Sequence, residues 1–412
     1  MTLCPFDDAA VAHLAPLTLT RPAADLRVGA RTLLAAAQAA FPSDRLALRT
    51  RPAVAGMACV EHPGTPVNEA PDGPTLFVNG RWRAEPGPLV DAVRQATDGR
   101  AARAFVQGDT LVALWHPDPP ATLALADGVP DGVPTERVDG AVLMDRLWSL
   151  TDDLGARVAA DVEALGGLGV HDGADVQDGA RLVAPDAIHL APGAVVRAGA
   201  VVSAADGPVH VGAGAVVEEN AVVRGPCYLG PKAVVKAAGR VDGSAIGWWS
   251  KVGGEVHESI VHSLSSKAHD GYLGNSYLGR WCNLGADTNT SNLKNDYGEV
   301  TMYDAVARRA VPTGRQFLGL VMGDHSKCAI NTQFNTGTVV GVFCNLFQAG
   351  FPPRWVPHFS WGGADGLKPY RVDKALEVAE AVLARRGMDL SDAERALLTA
   401  IAAEATSTTV RA

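Results

Sequence analysis

Between Ser265 and Asn292 the chain reads SSKAHDGYLGNSYLGRWCNLGADTNTSN, its densest run of polar side chains. One imidazole, His269, stands there beside a phenol, Tyr272, and two carboxamides, Asn283 and Asn292. An imidazole of ordinary pKa, about 6.5, accepts a proton at neutral pH, so the segment is a candidate for proton transfer. The structural alternative makes His269 a surface residue and Asn283 and Asn292 corner residues that satisfy backbone groups or accept left-handed geometry. His257, His262 and His325 invite a metal reading, but no pair has helical ligand spacing beside a carboxylate, and no metal site is expected among them.

A second group of candidates lies near the start, where Phe6, Asp7 and Asp8 precede LTLTRP with Arg21. Arg21 could contact a phosphate, and Asp7 or Asp8 a magnesium ion. Alternatively, Asp7 caps a helix beginning near Asp8 and Arg21 pairs with an acid.

The element that must position the first group announces itself through period. From Leu190 a small aliphatic residue returns every six positions at Val196 and Val202, then at Val211, Val217, Val223, Leu229, Val235 and Val241. Six matches neither a helix nor an ordinary strand, and three hexapeptides make one turn of a triangular β-solenoid. Gly, Ala and Asn fall near the corners, where the backbone packs closely. The register becomes less tidy after about Val252, before Leu278 and Leu284 resume it, and departures from a repeat are where a solenoid carries loops and chemistry.

Residues 1–145 have the texture of a small mixed α/β domain. Helical patterns run over Gly29–Phe41 and Leu89–Thr97, TLFVNGRWRA carries a two-residue hairpin signal at Asn79-Gly80, and AFVQGDTLVALWH reads as strand, turn and strand. Residues 146–167 read as a linking helix stopped at Gly166-Gly167, and residues 168–363 as the solenoid. A helical tail, 364–412, begins near Val372, breaks at Gly387 and restarts at Ser391, which forms a capping box with Glu394. That tail could cover the open end of the prism.

The chain has 412 residues, long enough for two or three domains, and a formal net charge of -9 with 36 Lys and Arg in no dense run, so nucleic acid is not an expected partner. Isolated cations could still hold small phosphorylated ligands. The six cysteines form no CxxC pair, the N-terminus lacks a basic leader pattern, and no stretch approaches the roughly 20 apolar residues that span a bilayer. A cytoplasmic protein without membrane association is expected.

The His269, YLG, LG and NLGA elements, with Thr and Asn following, resemble the acetyltransferase half of the bacterial bifunctional glucosamine-1-phosphate acetyltransferase and N-acetylglucosamine-1-phosphate uridylyltransferase. More of the chain resembles a variant of that family with a shortened nucleotidyltransferase-like front half. PLTLTRPAADLRVG, GGEVHESI, FLGLVMGDHSKCAINTQFNTGTVVG and FPPRWVPHFSWGG carry this wider likeness, strongest from Gly225 to Gly363.

The resemblance implies an α/β front domain, a left-handed parallel β-helix and a cytoplasmic homotrimer. It implies an acetyl-CoA-dependent N-acyltransferase acting on an amino-sugar phosphate or a nucleotide-linked amino sugar, glucosamine 1-phosphate by kinship. In it His269 is the general base, Tyr272 and Asn283 hold the sugar, Asn292 contacts sugar and pantetheine, and Ala286 leaves room for the acetyl donor. By hexapeptide register, Lys236 matches a residue that holds the sugar phosphate. Where the family carries a second phosphate-binding lysine, this chain has Gly253, Gly254 and Glu255, so its acceptor could differ. The glycine-rich LAAGxGTRM loop of nucleotidyltransferases is absent, which weakens the alternative of a sugar-1-phosphate nucleotidyltransferase using UTP or dTTP with Mg2+. A non-catalytic solenoid scaffold is the remaining alternative.

Overall fold

A computed structural model describes residues 1–121, 123–126 and 128–409, with side chains described to residue 405. Two compact units divide it. One comprises 1–26, 31–147 and 391–398; the other comprises 27–30, 148–390 and 399–412, whose last three residues lie outside the described ones.

In the first unit, strands β1 (Thr2–Phe6), β2 (Arg45–Leu46), β3 (Thr75–Asn79), β4 (Arg103–Gln107), β5 (Thr110–His116) and β6 (Thr135–Arg137) form a mixed sheet ordered β2-β1-β3-β5-β4-β6. The unit holds helices α1 (Leu33–Ala40), α2 (Pro52–Glu61) and α3 (Pro88–Ala96). Thr32 caps α1 by accepting from the Ala35 amide at 3.1 Å, which sets the start of the helix read over 29–41. Strands β1 and β3 are buried along their whole length, as suits parallel neighbours covered on both faces. The segment AFVQGDTLVALWH forms the β4–β5 hairpin, with Gly108 at φ 58° in its turn.

The Asn79-Gly80 pair does not make a two-residue hairpin. Strand β3 pairs antiparallel with β5 instead, and the Asn79 amide nitrogen donates to Asp8 at 2.8 Å and to the Leu111 carbonyl at 2.9 Å. Its carbonyl oxygen accepts from the Arg81 backbone at 2.9 Å, so its side chain pins the turn within a buried polar network.

The second unit is a parallel β-solenoid. One stack contains ten parallel strands among the described residues, closed by an antiparallel eleventh, Gly366–Pro369 against Ser360–Gly363. Every aliphatic residue of the six-residue series, Leu190 through Val241, points inward and is fully buried. The untidy stretch has a simple cause. Val223 pairs with Val241, eighteen residues on, whereas Val241 pairs with Val256 and Val252 with Lys267, each only fifteen on. Along that turn the inward residues Val241, Ile246, Val252 and Val256 are spaced by five, six and four, and a period sought at six is lost. Between Asn289–Thr290 and Val321–Met322 the chain leaves the prism to form an antiparallel hairpin, Val300–Asp304 with Arg309–Arg315, before Leu284 finds Cys328 as its partner on the next turn.

Helix α4 (Leu154–Leu165) lies within the solenoid unit, where Gly155 faces Pro226, and it ends at Gly166, φ 74°. The start of the tail, Gly366–Pro369, does meet the last rung of one stack, whereas the end of helix α5 (Val372–Ala384) packs against earlier turns. Leu383 and Val382 pack with Leu264, Trp281, Trp248 and Trp249 on the solenoid flank, because the aromatic corners there need an apolar partner. Helix α6 (Asp392–Thr409) opens with Ser391 accepting from the Glu394 amide at 3.1 Å, the first half of the expected capping box. No helix among the described residues is long and apolar enough to cross a membrane.

Candidate active site

The polar segment wraps one turn of the solenoid and spreads its candidates over a corner and two faces. Ser266–Lys267 belongs to one stack, the corner follows at 268–271, Tyr272–Gly274 opens the next face, and Asn283–Leu284 returns to the first. His269 occupies the corner, and its ring is exposed and makes no hydrogen bond or ion pair among the described residues.

The corner below the ring is braced from inside. Lys267 takes the inward position that Val252 holds one turn earlier, so a lysine replaces an aliphatic residue of the core. Its ammonium donates to the carbonyls of His269 at 2.6 Å and Asp270 at 3.0 Å. Burial pushes its pKa down to about 8. Sequence reasoning did not single out Lys267; a charged residue in the aliphatic slot of the repeat was the signal.

Ala286 stands one turn from His269 in the same corner column, since the Asp287 amide donates to the Asp270 carbonyl at 3.1 Å. Turns of a parallel stack are about 4.8 Å apart, so a methyl group there leaves room beside the imidazole. Gly285 cannot be larger: a Cβ would lie 2.4 Å from the Ala329 carbonyl carbon of the following turn. Lys236 belongs to the same column at a lower turn, but it is engaged with Glu218 at 2.7 Å.

On the adjoining face Tyr272 and Asn292 come together. The Asn292 amide donates to the Tyr272 hydroxyl at 3.0 Å and to Asn275 Oδ1 at 2.7 Å, and Asn275 in turn donates to Glu258 at 2.8 Å. Burial, followed by the charges of Glu255 and Asp242, raises the Tyr272 pKa, so the phenol keeps its proton. His257 pairs with Asp242 in the same region, and that hydrogen bond raises its pKa despite partial burial. Left-handed geometry falls at Asn275, Trp281 and Asp287, and at neither Asn283 nor Asn292.

Asn283 is not with Tyr272. It stands exposed on the preceding face, in an outward ladder of Lys251, Ser266, Asn283 and Lys327. His262 is buried against Ser263, and His325 is stacked 6.2 Å from Trp281 and 5.0 Å from Phe343; no group of three potential metal ligands occurs among the described residues.

The front unit uses its candidates internally. Asp7 does not cap a helix at Asp8; its carboxylate accepts from the Ala23 amide at 2.9 Å and from Arg51 at 3.0 Å, and burial raises its pKa. Asp8 accepts from Asn79 and, at 2.6 and 2.8 Å, from the fully buried Arg81, which also pairs with Asp145. Burial pushes the Asp8 pKa up, but Arg81 more than offsets it and holds the carboxyl below its ordinary value. Arg21 is buried and donates to the Leu17 carbonyl at 3.4 Å. Oxygen ligands already committed to cations and amides do not fit a magnesium ion, which needs free carboxylate oxygen atoms.

Residues 3–167 match the model of the family described as sugar nucleotidyl transferase. A bifunctional sugar-1-phosphate nucleotidylyltransferase/acetyltransferase of Sulfurisphaera tokodaii is 30% identical over 100 residues, covering 24% of each chain. The bifunctional protein GlmU of Methanocaldococcus jannaschii is 36% identical over 90 residues, 22% of this chain and 21% of that one. The chain thus spans about a quarter or less of the length of these curated relatives. Among solved structures, a UDP-N-acetylglucosamine acyltransferase from Campylobacter jejuni aligns with 56% of this chain and 94% of its own at 10% identity and a TM-score of 0.21. The front of the chain therefore matches the sugar nucleotidyl transferase pattern and precedes a β-solenoid, and part of the chain is similar to GlmU-type bifunctional proteins, the likeness that the motifs indicated.

Proposed function

We propose that the chain is an acetyl-CoA-dependent N-acyltransferase acting on an amino-sugar phosphate or a nucleotide-linked amino sugar, through a left-handed solenoid assembled as a homotrimer. The observation that carries this reading is the exposed, unengaged ring of His269 on a corner braced by Lys267 and faced by Ala286. His269 takes a proton from the sugar ammonium or amine as nitrogen attacks the thioester carbonyl; the C–N bond forms, the C–S bond breaks, and the departing thiolate takes up a proton. Backbone amides polarise the carbonyl, and no covalent acyl-enzyme is required.

Tyr272 and Asn292 would hold the sugar on one chain. Asn283 faces another direction, which suits a role toward the sugar held by a neighbouring copy. Lys236 would meet a sugar phosphate only by exchanging Glu218 for it. Acetyl-CoA at a hundred times its dissociation constant should stabilise the protein by roughly 2.7 kcal/mol, and His269→Ala should cut transfer to glucosamine 1-phosphate or a related amino sugar. No thermal shift with acetyl-CoA, and no transfer to any amino sugar, would overturn the acyl-transfer reading.

A second reading rests on the family match of residues 3–167: sugar-1-phosphate nucleotidyl transfer by the front unit. With Asp7 and Asp8 committed, it requires other residues to hold the triphosphate. Pyrophosphate release from UTP or dTTP with magnesium and a panel of sugar 1-phosphates tests it, and it should survive His269→Ala.

A further inference from the structure

Lys251, Ser266, Asn283 and Lys327 of the outward ladder line a groove of about 550 Å³ together with Trp249, Trp281 and Leu264 and, at the end of α5, Val382, Arg385 and Arg386. Its lining contains four cations and no carboxylate. Two of those cations are fixed in place without an acid. Lys327 donates to the His325 carbonyl at 2.9 Å and lies 5.3 Å from the Phe343 ring, and Arg386 donates to the Trp249 carbonyl at 2.7 Å with its guanidinium 4.8 Å from that indole. The other two, Lys251 and Arg385, are exposed and make no hydrogen bond or ion pair among the described residues; neither do the side chains of Ser266 and Asn283.

A protein of net charge -9 with 45 acidic residues has ample carboxylates to neutralise a basic cluster, and elsewhere it does so: Arg197 meets Glu219, Lys236 meets Glu218, Arg240 meets Glu255 and Arg315 meets Asp152. Here none is supplied. Like charges brought together beside indole walls repel one another, and a polyvalent anion converts that repulsion into charge-assisted hydrogen bonds. The groove has the volume of an ordinary small-ligand site, with an apolar wall for a ring and donors for a charged end.

We propose that this groove binds a phosphorylated small molecule, its phosphate held by Lys251, Lys327 and Arg385, its polar ring atoms by Asn283 and Ser266, and its less polar face lying on the indoles. The groove shares Asn283 with the sugar-holding residues of the acyl-transfer reading but none of the His269 corner, so it extends that reading while its anion binding is measured without transfer. It also supplies cations that Gly253 and Gly254 do not provide on the adjoining corner.

Calorimetric titration with inorganic pyrophosphate, against sulfate at matched ionic strength, tests the proposal. Saturable binding that prefers pyrophosphate is expected, weakened about tenfold or more in Lys251→Gln with Arg385→Gln and unchanged in His269→Ala. Asn283→Asp, which places an acid on the exposed ladder, should weaken it as well and serves if the double variant does not fold. Absence of saturable binding, or equal affinity in the folded variants, would overturn the site. Competition separates the sources of phosphate. Displacement by glucosamine 1-phosphate assigns the groove to an acceptor, displacement by coenzyme A assigns it to the donor, and displacement by neither overturns a small organic ligand. Loss of transfer in His269→Ala with pyrophosphate binding intact separates this site from the catalytic reading.

Discussion

The front unit and the solenoid corner treat their reactive side chains in opposite ways. In the front unit, Asp7 and Asp8 are closed in by Arg51, Arg81, Asn79 and a backbone amide, so both oxygens of each carboxylate are already engaged in holding the fold. At the corner, the folding work is done by Lys267, whose ammonium ties down two carbonyls from within, and His269 is left with its ring in solvent. The difference shows how to separate a polar group that holds a fold from one that is held by it: the second has a neighbour that performs the structural task in its place.

The largest effect should come from breaking the closed network. Arg81→Met leaves Asp8 buried without its cation and should cost roughly 3–5 kcal/mol, read by denaturant unfolding of the full chain. A loss below about 1 kcal/mol would show that Asp8 is not held by Arg81. Next, His269→Ala should lower turnover by about a hundredfold or more while the melting temperature stays put, because the ring has no structural partner. Unchanged turnover would remove it as the base.

Lys267→Met keeps the length of the side chain and deletes both carbonyl contacts. Acetyl transfer should fall about tenfold, mainly in kcat, as the corner loses its brace. The same lysine gives a pH signature. Its folded pKa of about 8 lies below the unfolded value of about 10.4, so between these limits the unfolded state binds more protons and stability rises with pH; below about 8 the contribution is flat. Lys327, pushed to about 8 by burial, adds to the same window. Lys267→Met should reduce the slope in thermal melts between pH 8 and 10, and an unchanged slope would contradict the burial argument. The smallest effect is expected for Lys236→Ala, whose surface pair with Glu218 is worth at most about 1 kcal/mol, with KM for the amino sugar shifting less than about threefold.

Much of this architecture could be read before the coordinates. The aliphatic series from Leu190 to Val241 specified the inward face of each turn because a repeat can bury only residues that recur in register. The register faded where turns shorten to fifteen residues, and it broke at Lys267 because hydrogen bonding to the corner carbonyls, not apolar burial, decides that position. Asn79-Gly80 misled because a dipeptide signal carries no information about Asp8, seventy-one residues away, which claims the amide. Tyr272 and Asn292 were legible as candidates, but their contact arises from stacking of successive turns. The cationic groove was not legible at all: Lys251 and Arg385 meet only because Leu383 and Val382 find an apolar seat among distant indoles.

The strand Gly366–Pro369 has a consequence for how copies behave in a crowded cell. A stack of parallel turns ends in a row of open amides and carbonyls that another solenoid could extend, yet on one face here the last strand is met by a strand running the opposite way. That reversal works as a stopper: a newcomer aligned head to tail finds the wrong polarity. Deleting residues 366–369 should uncork the prism and turn a discrete particle into one that grows lengthwise into filaments.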